Sequence, residues 1–417
     1  MSIDQNNQIR LPQLAWYDAR ELALHLPPSW QTRVYNMAGF NRPALKSEEI
    51  KQNVANLIGS LPIRELAKGK NKVIIIFDDL TRVTRVADIV PHILQELTEG
   101  GVPDTKIQFI SATGAHMAWD RASLAKKLGE DTLLRFPVYN HNPFDNCVYV
   151  GTTSHGNKVC INAEVMKCDL KIAVGSVVPH HTTGFGGGGK IVLPGISSME
   201  TIEHFHSLEG KYKANQKYRP FIGMGLFDKN PLRYEVEEAA KLAALDVKID
   251  CIVNTWGETV AIYAGIPGPA FEAAVRDAKA HYHTPDSQGE DIIIANTFAK
   301  ADEAIIVGLH IAFKALRPNG GDVVLIANAP DGQVAHYLVG PWGKSTGGRI
   351  GWSVKLPPHL NRLIIFSEYP DIACKGYFLE SKRVLLLNKW DDVLQTLRKY
   401  HGNDAKVAVY PNADIQY

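Results

Sequence analysis

Residues 175–206 read GSVVPHHTTGFGGGGKIVLPGISSMETIEHFH, with a His-His pair, four consecutive glycines and one lysine. The apolar run that leads into them, residues 170–178, predicts a buried strand. The glycines of residues 184–190 can adopt backbone dihedrals that other residues avoid, and they allow the backbone to approach a ligand closely. A strand followed by a glycine loop is typical of a ligand site built on loops over a rigid scaffold.

The end of this stretch predicts a helix. Pro194-Gly195 closes the loop, and Ser197 or Ser198 offers an N-cap for a helix that starts at Glu200. That helix carries His204 and His206. Because two residues span about 200° of helix rotation, only one of the two histidines can face a given site.

Short apolar runs alternate with helical patterns on both sides of this stretch. A predicted strand at residues 73–77 is followed directly by the motif Asp78-Asp79-Leu80-Thr81-Arg82. A second, at residues 107–111, is followed by Ala112-Thr113-Gly114-Ala115-His116. Such alternation predicts an α/β fold with mainly parallel sheets, in which ligands gather at the carboxyl ends of the strands. Residues 136–158 are less regular and rich in Asn, His and Gly.

A second α/β rhythm follows a composition break at residues 284–289. It comprises a predicted strand at 291–295, a helix at 301–316 and a last strand at 406–410. A chain of 417 residues is too long for one core. We therefore predict two domains, residues 1–285 and 286–417, with the last segment able to pack back on the first domain.

Composition excludes several classes of protein. The formal net charge is +1, so no electrostatic bias towards nucleic acid or acidic membranes exists. The five cysteines form no C-x-x-C pair, which argues against a disulfide framework or a cysteine zinc site. The amino terminus carries no signal pattern, and no apolar stretch approaches a membrane span. We predict a cytoplasmic protein.

Residues 184–190 also match G-x-x-x-x-G-K, the core of a phosphate-binding P-loop. Two positions argue against that function: Ile191 supplies no hydroxyl for magnesium, and Pro194 would break the helix that a P-loop lysine opens. A flexible loop with a solvated lysine is another interpretation. Four consecutive glycines are costly to order, which favours a ligand loop.

Five further side chains suit chemistry at the sheet edge. His116 and His180 each follow a predicted strand, and histidine can act as acid and base near neutral pH. Arg82 has the forked geometry that holds a carboxylate or phosphate, with Asp79 beside it. Lys300 follows the strand at residues 291–295 as a second cation.

These motifs together resemble the lactate racemases that use a nickel-pincer nucleotide. The resemblance is strongest in PHHTTGFGGGGKIVLPGISSMETIEHFH and extends to DDLTR, to TGAH and more weakly to TFAK around Lys300. Because these blocks follow one another in a single order along the sequence, the resemblance covers most of the chain. It implies two α/β domains with the active site in the interdomain cleft, the N-terminal domain being the catalytic, cofactor-binding one.

The resemblance also implies roles for named residues. The lysine of the glycine loop, here Lys190, would be tethered covalently to the cofactor, pyridinium-3-thioamide-5-thiocarboxylic acid mononucleotide, and His206 would bind its nickel. His116 and His180 would form the acid/base pair. The predicted cofactor-binding and substrate-binding positions are Gly186, Gly187, Gly188 and Gly189, and Asp79, Arg82 and Lys300, respectively.

The implied activity is racemisation or epimerisation of a 2-hydroxy acid by hydride abstraction and return. A planar 2-keto acid forms on the way, and two imidazoles serve the hydroxyl groups of the two enantiomers. Partners would be the small-molecule substrate and, transiently, the proteins that build the cofactor, with no nucleic acid and no membrane. A P-loop-like nucleotide-binding protein and a non-catalytic ligand-binding homologue are the alternatives.

The sequence departs from the family pattern at two places. Gly186 stands where the lactate enzymes usually have serine, and Thr297 lies where a glutamine is common near the second-domain lysine. The departures concern the substrate more than the reaction. A larger 2-hydroxy acid, such as a dicarboxylate or a sugar acid, is as compatible with them as lactate.

Overall fold

The computed structural model of the chain describes residues 1–287, 289–333, 336–338 and 355–417. Within them the chain is an α/β protein with two compact units. The first, here the catalytic unit, comprises residues 42–254 and 258–279. The second, here the terminal unit, comprises residues 1–41, 255–257 and 280–417.

The strands, numbered in chain order, are β1 (Gln8–Gln13), β2 (Arg20–His25), β3 (Gln31–Val34), β4 (Val73–Asp78), β5 (Ile107–Ala112), β6 (Val138–Asn140), β7 (Cys147–Thr152), β8 (Lys158–Asn162), β9 (Leu170–Ser176), β10 (Pro179–His180), β11 (Gly184–Phe185), β12 (Val247–Val253), β13 (Thr259–Gly265), β14 (Ile292–Asn296), β15 (Gly321–Ile326), β16 (Leu360–Phe366), β17 (Val384–Leu387) and β18 (Lys406–Tyr410).

The α-helices are α1 (Ser47–Ala55), α2 (Ile63–Leu66), α3 (Val90–Glu99), α4 (Arg121–Leu128), α5 (Glu130–Arg135), α6 (Ala163–Met166), α7 (Met199–Ala214), α8 (Pro231–Leu242), α9 (Pro267–His281), α10 (Ala304–Val307), α11 (Leu309–Ala315) and α12 (Trp390–Arg398). None of the helices in the described residues is long and apolar enough to cross a membrane.

The sheet of the catalytic unit has the order β13-β12-β9-β4-β5-β6. Five strands run parallel, and β13 pairs antiparallel with β12. Every residue of β4 and β9 is buried, as expected for parallel strands covered on both faces. The carboxyl ends of β9, β4 and β5 therefore lie side by side at one edge of this sheet.

The sheet of the terminal unit has the order β17-β16-β15-β14-β18-β3, and all six strands are parallel. The β1–β2 hairpin and Trp30 share one buried core with β14, β15, β16 and β18. The predicted fold class, α/β with mainly parallel sheets, is confirmed.

The units divide the chain differently from the single boundary predicted after residue 285. Residues 1–41 group with the C-terminal part because β3 adds a strand beside β18 and the β1–β2 hairpin covers the same core. The predicted linker at residues 284–289 is described except for Gln288, which lies outside the described residues.

Two segments differ in detail from what their sequence patterns indicated. Residues 136–158 contain β6 and β7, and β7 pairs with β8 in an antiparallel hairpin whose Val148 and Tyr149 are exposed. The exposed positions weaken the apolar pattern that would have predicted it. The helix predicted at 301–316 is a 3₁₀ turn followed by α10 and α11. Gly308 separates α10 from α11, and a Cβ at this position would lie only 2.7 Å from Thr297 Cγ2, so a larger residue does not fit there.

Candidate active site

Three loops follow the adjacent strands β9, β4 and β5. The loop after β4 is tied to β9, since Asp78 Oδ2 accepts a hydrogen bond from the Ser176 amide at 3.2 Å. The loop after β5 is tied to the end of the glycine loop, since the Gly114 amide donates to the Gly195 carbonyl at 2.9 Å. The motifs DDLTR, TGAH and PHHTTGFGGGGK thus converge at one edge of the sheet.

Asp79 and His116, on two of these loops, form a buried pair. Asp79 Oδ2 lies 2.8 Å from His116 Nδ1, and Asp79 is 2% exposed. Burial by itself raises the pKa of the Asp79 carboxyl, but the charge and hydrogen bond of His116, with the charge of Arg82, outweigh it and leave the pKa below its usual value. Asp79 is therefore ionised at neutral pH beside the imidazole.

Arg82 is held by its own loop. Its Nη1 donates to the Thr81 carbonyl and hydroxyl, both at 2.8 Å. Lys127 is fully buried and was not singled out from the sequence. Its Nζ donates to the Arg82 carbonyl at 2.7 Å and lies 2.8 Å from Asp78 Oδ1. A buried ion pair with a carbonyl partner thus fixes the DDLTR loop.

His180 and Lys190 lie together on the glycine loop. His180 ends β10, which pairs with β11 in a short antiparallel ladder. Its Nε2 lies 3.1 Å from Lys190 Nζ. The ring stacks on that of His181 at a centroid distance of 4.7 Å. The structure thus brings the predicted tether and one predicted acid/base group within hydrogen-bond distance.

His206 lies on α7, whose N-cap is Ser198, as the sequence predicted. Its Nδ1 lies 3.1 Å from Glu209 Oε2, three residues further along the helix. Burial by itself raises the pKa of the Glu209 carboxyl, but the charges of His206, His181 and Lys190 outweigh that effect and lower the pKa to about 2. Sequence reasoning missed Glu209, although its i+3 spacing from His206 is a signal that could have found it.

The glycine loop rests on a buried charged cluster. The Gly188 amide donates to both carboxylate oxygens of Asp250, at 3.1 and 3.2 Å, and Arg233 Nη2 donates to the Gly187 carbonyl at 2.9 Å. Lys248 Nζ lies 2.7 Å from Asp250 Oδ1, and both residues are fully buried. These three charged residues carry no sequence motif, and only the tertiary fold brings them to the loop.

Packing explains why three positions of the loop are glycine. A Cβ on Gly187 would lie 2.7 Å from Asp250 Oδ1, and one on Gly188 would lie 2.2 Å from Arg233 Nη2. A Cβ on Gly189 would lie 2.8 Å from the Val236 carbonyl. That Gly186, Gly187, Gly188 and Gly189 also contact a cofactor stays a prediction.

The geometry also argues against a nucleotide-binding P-loop. Lys190 lies in a four-residue 3₁₀ turn, Gly188–Ile191, and the next α-helix begins only at Met199. The Gly188 amide points at the protein's own carboxylate, Asp250, where a P-loop amide would point at phosphate.

Lys300 follows β14 in the terminal unit. It is 2% exposed, and its amide donates to Asp414 Oδ2 at 2.6 Å. Thr297, the departure noted above, is fully buried and donates its hydroxyl to the Ile326 carbonyl at 2.7 Å. In the described residues no group of three or more His, Cys, Asp and Glu side chains could hold a metal ion by itself.

The amino-acid sequence is similar to those of known proteins. Residues 17–217 match the family of the lactate racemase N-terminal domain. The lactate racemase of Thermoanaerobacterium thermosaccharolyticum is 28% identical over 323 residues, 76% of this chain and 74% of that protein. The lactate racemase of Lactiplantibacillus plantarum is 29% identical over 303 residues, 72% of this chain and 70% of that protein.

Two solved structures share the fold. The lactate racemase apoprotein of Thermoanaerobacterium thermosaccharolyticum superposes with a TM-score of 0.75 at 21% identity, covering 98% of this chain and 99% of that one. A Thermotoga maritima protein superposes with a TM-score of 0.65 at 18% identity, covering 90% and 98%. The predicted resemblance to the lactate racemases and the predicted isomerase class are confirmed by these matches.

Proposed function

We propose that the chain racemises or epimerises a 2-hydroxy acid through a nickel-pincer nucleotide tethered to Lys190. The observation that carries the proposal is the contact of Lys190 with His180 on the glycine loop, together with the buried carboxylate Glu209, which contacts both His206 and Thr182 of that loop. The lactate racemase relatives support the racemase class. The nickel cofactor, the residue roles and a site in an interdomain cleft are parts of the proposal.

The side chains present fit the cofactor chemically. Imidazole is a suitable ligand for nickel, and since Nδ1 of His206 contacts Glu209, the other ring nitrogen, Nε2, would be the one to bind the metal. Lys190 supplies the amine for the covalent link. Its position 3.1 Å from His180 Nε2 puts the tethering atom beside a proposed acid/base group.

When bound, the cofactor would supply a hydride acceptor and donor for the Cα hydrogen of the substrate. The chain does the rest. His180 and His116 take the hydroxyl proton from the two enantiomers and give it back, and Asp79 holds the ring of His116. Arg82 and Lys300 bind the substrate carboxylate, so that the planar 2-keto acid stays in place until its other face is reduced.

The substrate is a small 2-hydroxy acid, with a dicarboxylate or a sugar acid as compatible as lactate. Thr297 and Asn296 are buried and hydrogen-bonded inside the terminal unit, which supports a substrate contact different from that of the family's glutamine. The proteins that build the cofactor are transient partners. The cytoplasmic location stays a prediction.

A panel of enantiopure 2-hydroxy acids tests the proposal. The protein is produced together with the cofactor-building enzymes, and each acid is followed by chiral chromatography. We expect one acid class to approach an equilibrium mixture of configurations, and His180→Ala to lose that conversion while it keeps the covalent adduct. Protein that carries adduct and nickel but converts no acid would contradict the proposed reaction.

A further inference from the structure

Glu209 is a buried carboxylate with two partners from different elements. It is 1% exposed and lies on α7. Its Oε2 lies 3.1 Å from His206 Nδ1, and its Oε1 accepts the Thr182 hydroxyl at 2.9 Å. A carboxylate only accepts hydrogen bonds, so His206 Nδ1 must carry the proton in this contact.

The contact selects one nitrogen of the ring. With Nδ1 protonated and bound to Glu209, the neutral imidazole presents the lone pair of Nε2. Metal-binding histidines usually donate their other ring N–H to a carboxylate or carbonyl, which fixes the tautomer and the ring plane. His204, on the same helix, differs because its buried Nε2 has no hydrogen-bond partner. Glu209 therefore distinguishes the two histidines.

The second partner joins Glu209 to the loop that carries His180. Thr182 is fully buried, and its Oγ1 lies 3.2 Å from His180 Nδ1. The Thr182 carbonyl is in turn held by Asn230 Nδ2 at 2.8 Å. The carboxylate thus sets the position of α7 relative to the start of the glycine loop.

We propose that Glu209 is the positioning residue of the nickel ligand: it holds His206 in the Nδ1–H tautomer with Nε2 directed to the metal. The inference rests on the proposed function for the identity of the metal. Its first part, the tautomer, is a property of the chain alone and can be measured without cofactor.

Nitrogen-15 NMR of unloaded protein tests the tautomer. His206 is assigned by the signal that is lost in His206→Asn, and the long-range proton–nitrogen pattern identifies the protonated ring nitrogen. We expect Nδ1–H in the wild type and in Glu209→Gln, whose amide oxygen still accepts. Glu209→Ala should shift the ring towards the Nε2–H form. A wild-type ring with Nδ1 unprotonated overturns the inference without any variant.

Metal retention tests the second part. Protein produced with the cofactor-building enzymes is titrated with a chelator, and nickel is counted per covalent adduct by metal analysis and intact mass. We expect Glu209→Ala to keep the adduct and to hold nickel 10- to 100-fold more weakly, with Glu209→Gln much closer to the wild type. Lys211→Ala, at an exposed position on the same helix, should match the wild type.

The two measurements separate the inference from the proposed function. If the wild type takes up no adduct and no nickel, the proposed function fails, and the NMR result still decides the role of Glu209 in the chain. If Glu209→Ala carries adduct and holds nickel as tightly as the wild type, the positioning role is wrong while the proposed function stands.

Discussion

The Asp79 carboxylate lies 2.8 Å from His116 Nδ1, and both side chains are largely buried. Asp79 was predicted to bind the substrate together with Arg82 and Lys300. The contact supports a different role, since a carboxylate bound to one ring nitrogen fixes the imidazole and stabilises its protonated form. Kinetics can distinguish the two roles, because loss of a substrate contact raises KM and loss of a positioning contact lowers kcat.

We predict that Asp79→Asn lowers kcat of the loaded enzyme about 100-fold and changes KM little, because general acid–base catalysis by His116 is impaired. Steady-state racemisation measures both constants, and intact mass shows whether the adduct is kept. Asp88→Asn makes the same chemical change at an exposed position and should leave kcat unchanged. A rise in KM at constant kcat would return Asp79 to the substrate-binding set.

His141 gives the fold a pH dependence. It is 3% exposed, and its Nε2 lies 2.8 Å from the Ser197 carbonyl. Burial lowers its pKa to about 4, with the Ser197 carbonyl partly opposing that shift. The unfolded chain therefore binds this proton more readily than the folded chain, and the stability associated with neutral His141 is lost as the pH falls from about 6.5 to 4.

We predict that His141 contributes on the order of 3 kcal/mol to the fall in unfolding free energy across that window. Urea denaturation at a series of pH values measures it. His141→Gln should be less stable at pH 7 and lose less stability on acidification than the wild type, whereas His25→Gln, at an exposed position, should follow the wild-type profile. Parallel profiles for His141→Gln and the wild type would contradict the prediction.

At the scale of elements, the glycine loop is held by side chains beneath it. Asp250 accepts the Gly188 amide, and Arg233 lies over the Phe271 ring at 3.6 Å from its centroid while it donates to Gly187. Gly188 has φ +55°, a conformation that side chains with a Cβ rarely adopt. The position of Lys190 therefore depends on a cluster that lies outside the loop.

We predict that Gly188→Ala destabilises the protein by roughly 2–4 kcal/mol, because a Cβ would meet Arg233 Nη2 at 2.2 Å in a left-handed conformation. Less adduct should form on Lys190 as the loop shifts. The matched control is Gly210→Ala on α7, where a Cβ meets nothing within 4 Å; it should stabilise by about 0.5–1 kcal/mol. Denaturation and intact mass measure both effects, and equal stability of the two variants would contradict the packing argument.

The sequence predicted the elements that have strong local patterns. Strands β4 and β5 and the cap at Ser198 agree with prediction, since continuous apolar runs and capping residues are local signals. The β7–β8 hairpin was missed because its exposed residues carry no such pattern. Glu209 and Asp250 were missed because their importance depends on partners that only the folded chain brings near.

At the scale of the whole molecule, the amino terminus belongs to the terminal unit. Five of its apolar side chains are buried in the core of that unit: Ile9, Leu11, Leu24, Leu26 and Trp30. Residues 8–35 contain no local signal for the sheet that they join. Such long-range pairing is not encoded locally, which is why a single boundary was predicted.

We predict that a fragment of residues 286–417 does not fold alone. Without the five buried side chains, each worth about 1.5–3 kcal/mol, it lacks on the order of 10 kcal/mol, as much as the whole stability of a typical domain. Hydrogen exchange of the β18 amides measures folding. Addition of residues 1–41 in trans should restore some protection, and a stably protected fragment without them would show that β3 and the hairpin are dispensable.

The proposed function depends most on the chemistry of Lys190, which lies beside His180 on the glycine loop. The most direct measurement is the intact mass of the protein produced together with the cofactor-building enzymes, with nickel counted in the same sample. We predict a covalent adduct with one nickel in the wild type and neither in Lys190→Ala. An unmodified, nickel-free wild type, or an adduct that persists in Lys190→Ala, would contradict the central claim.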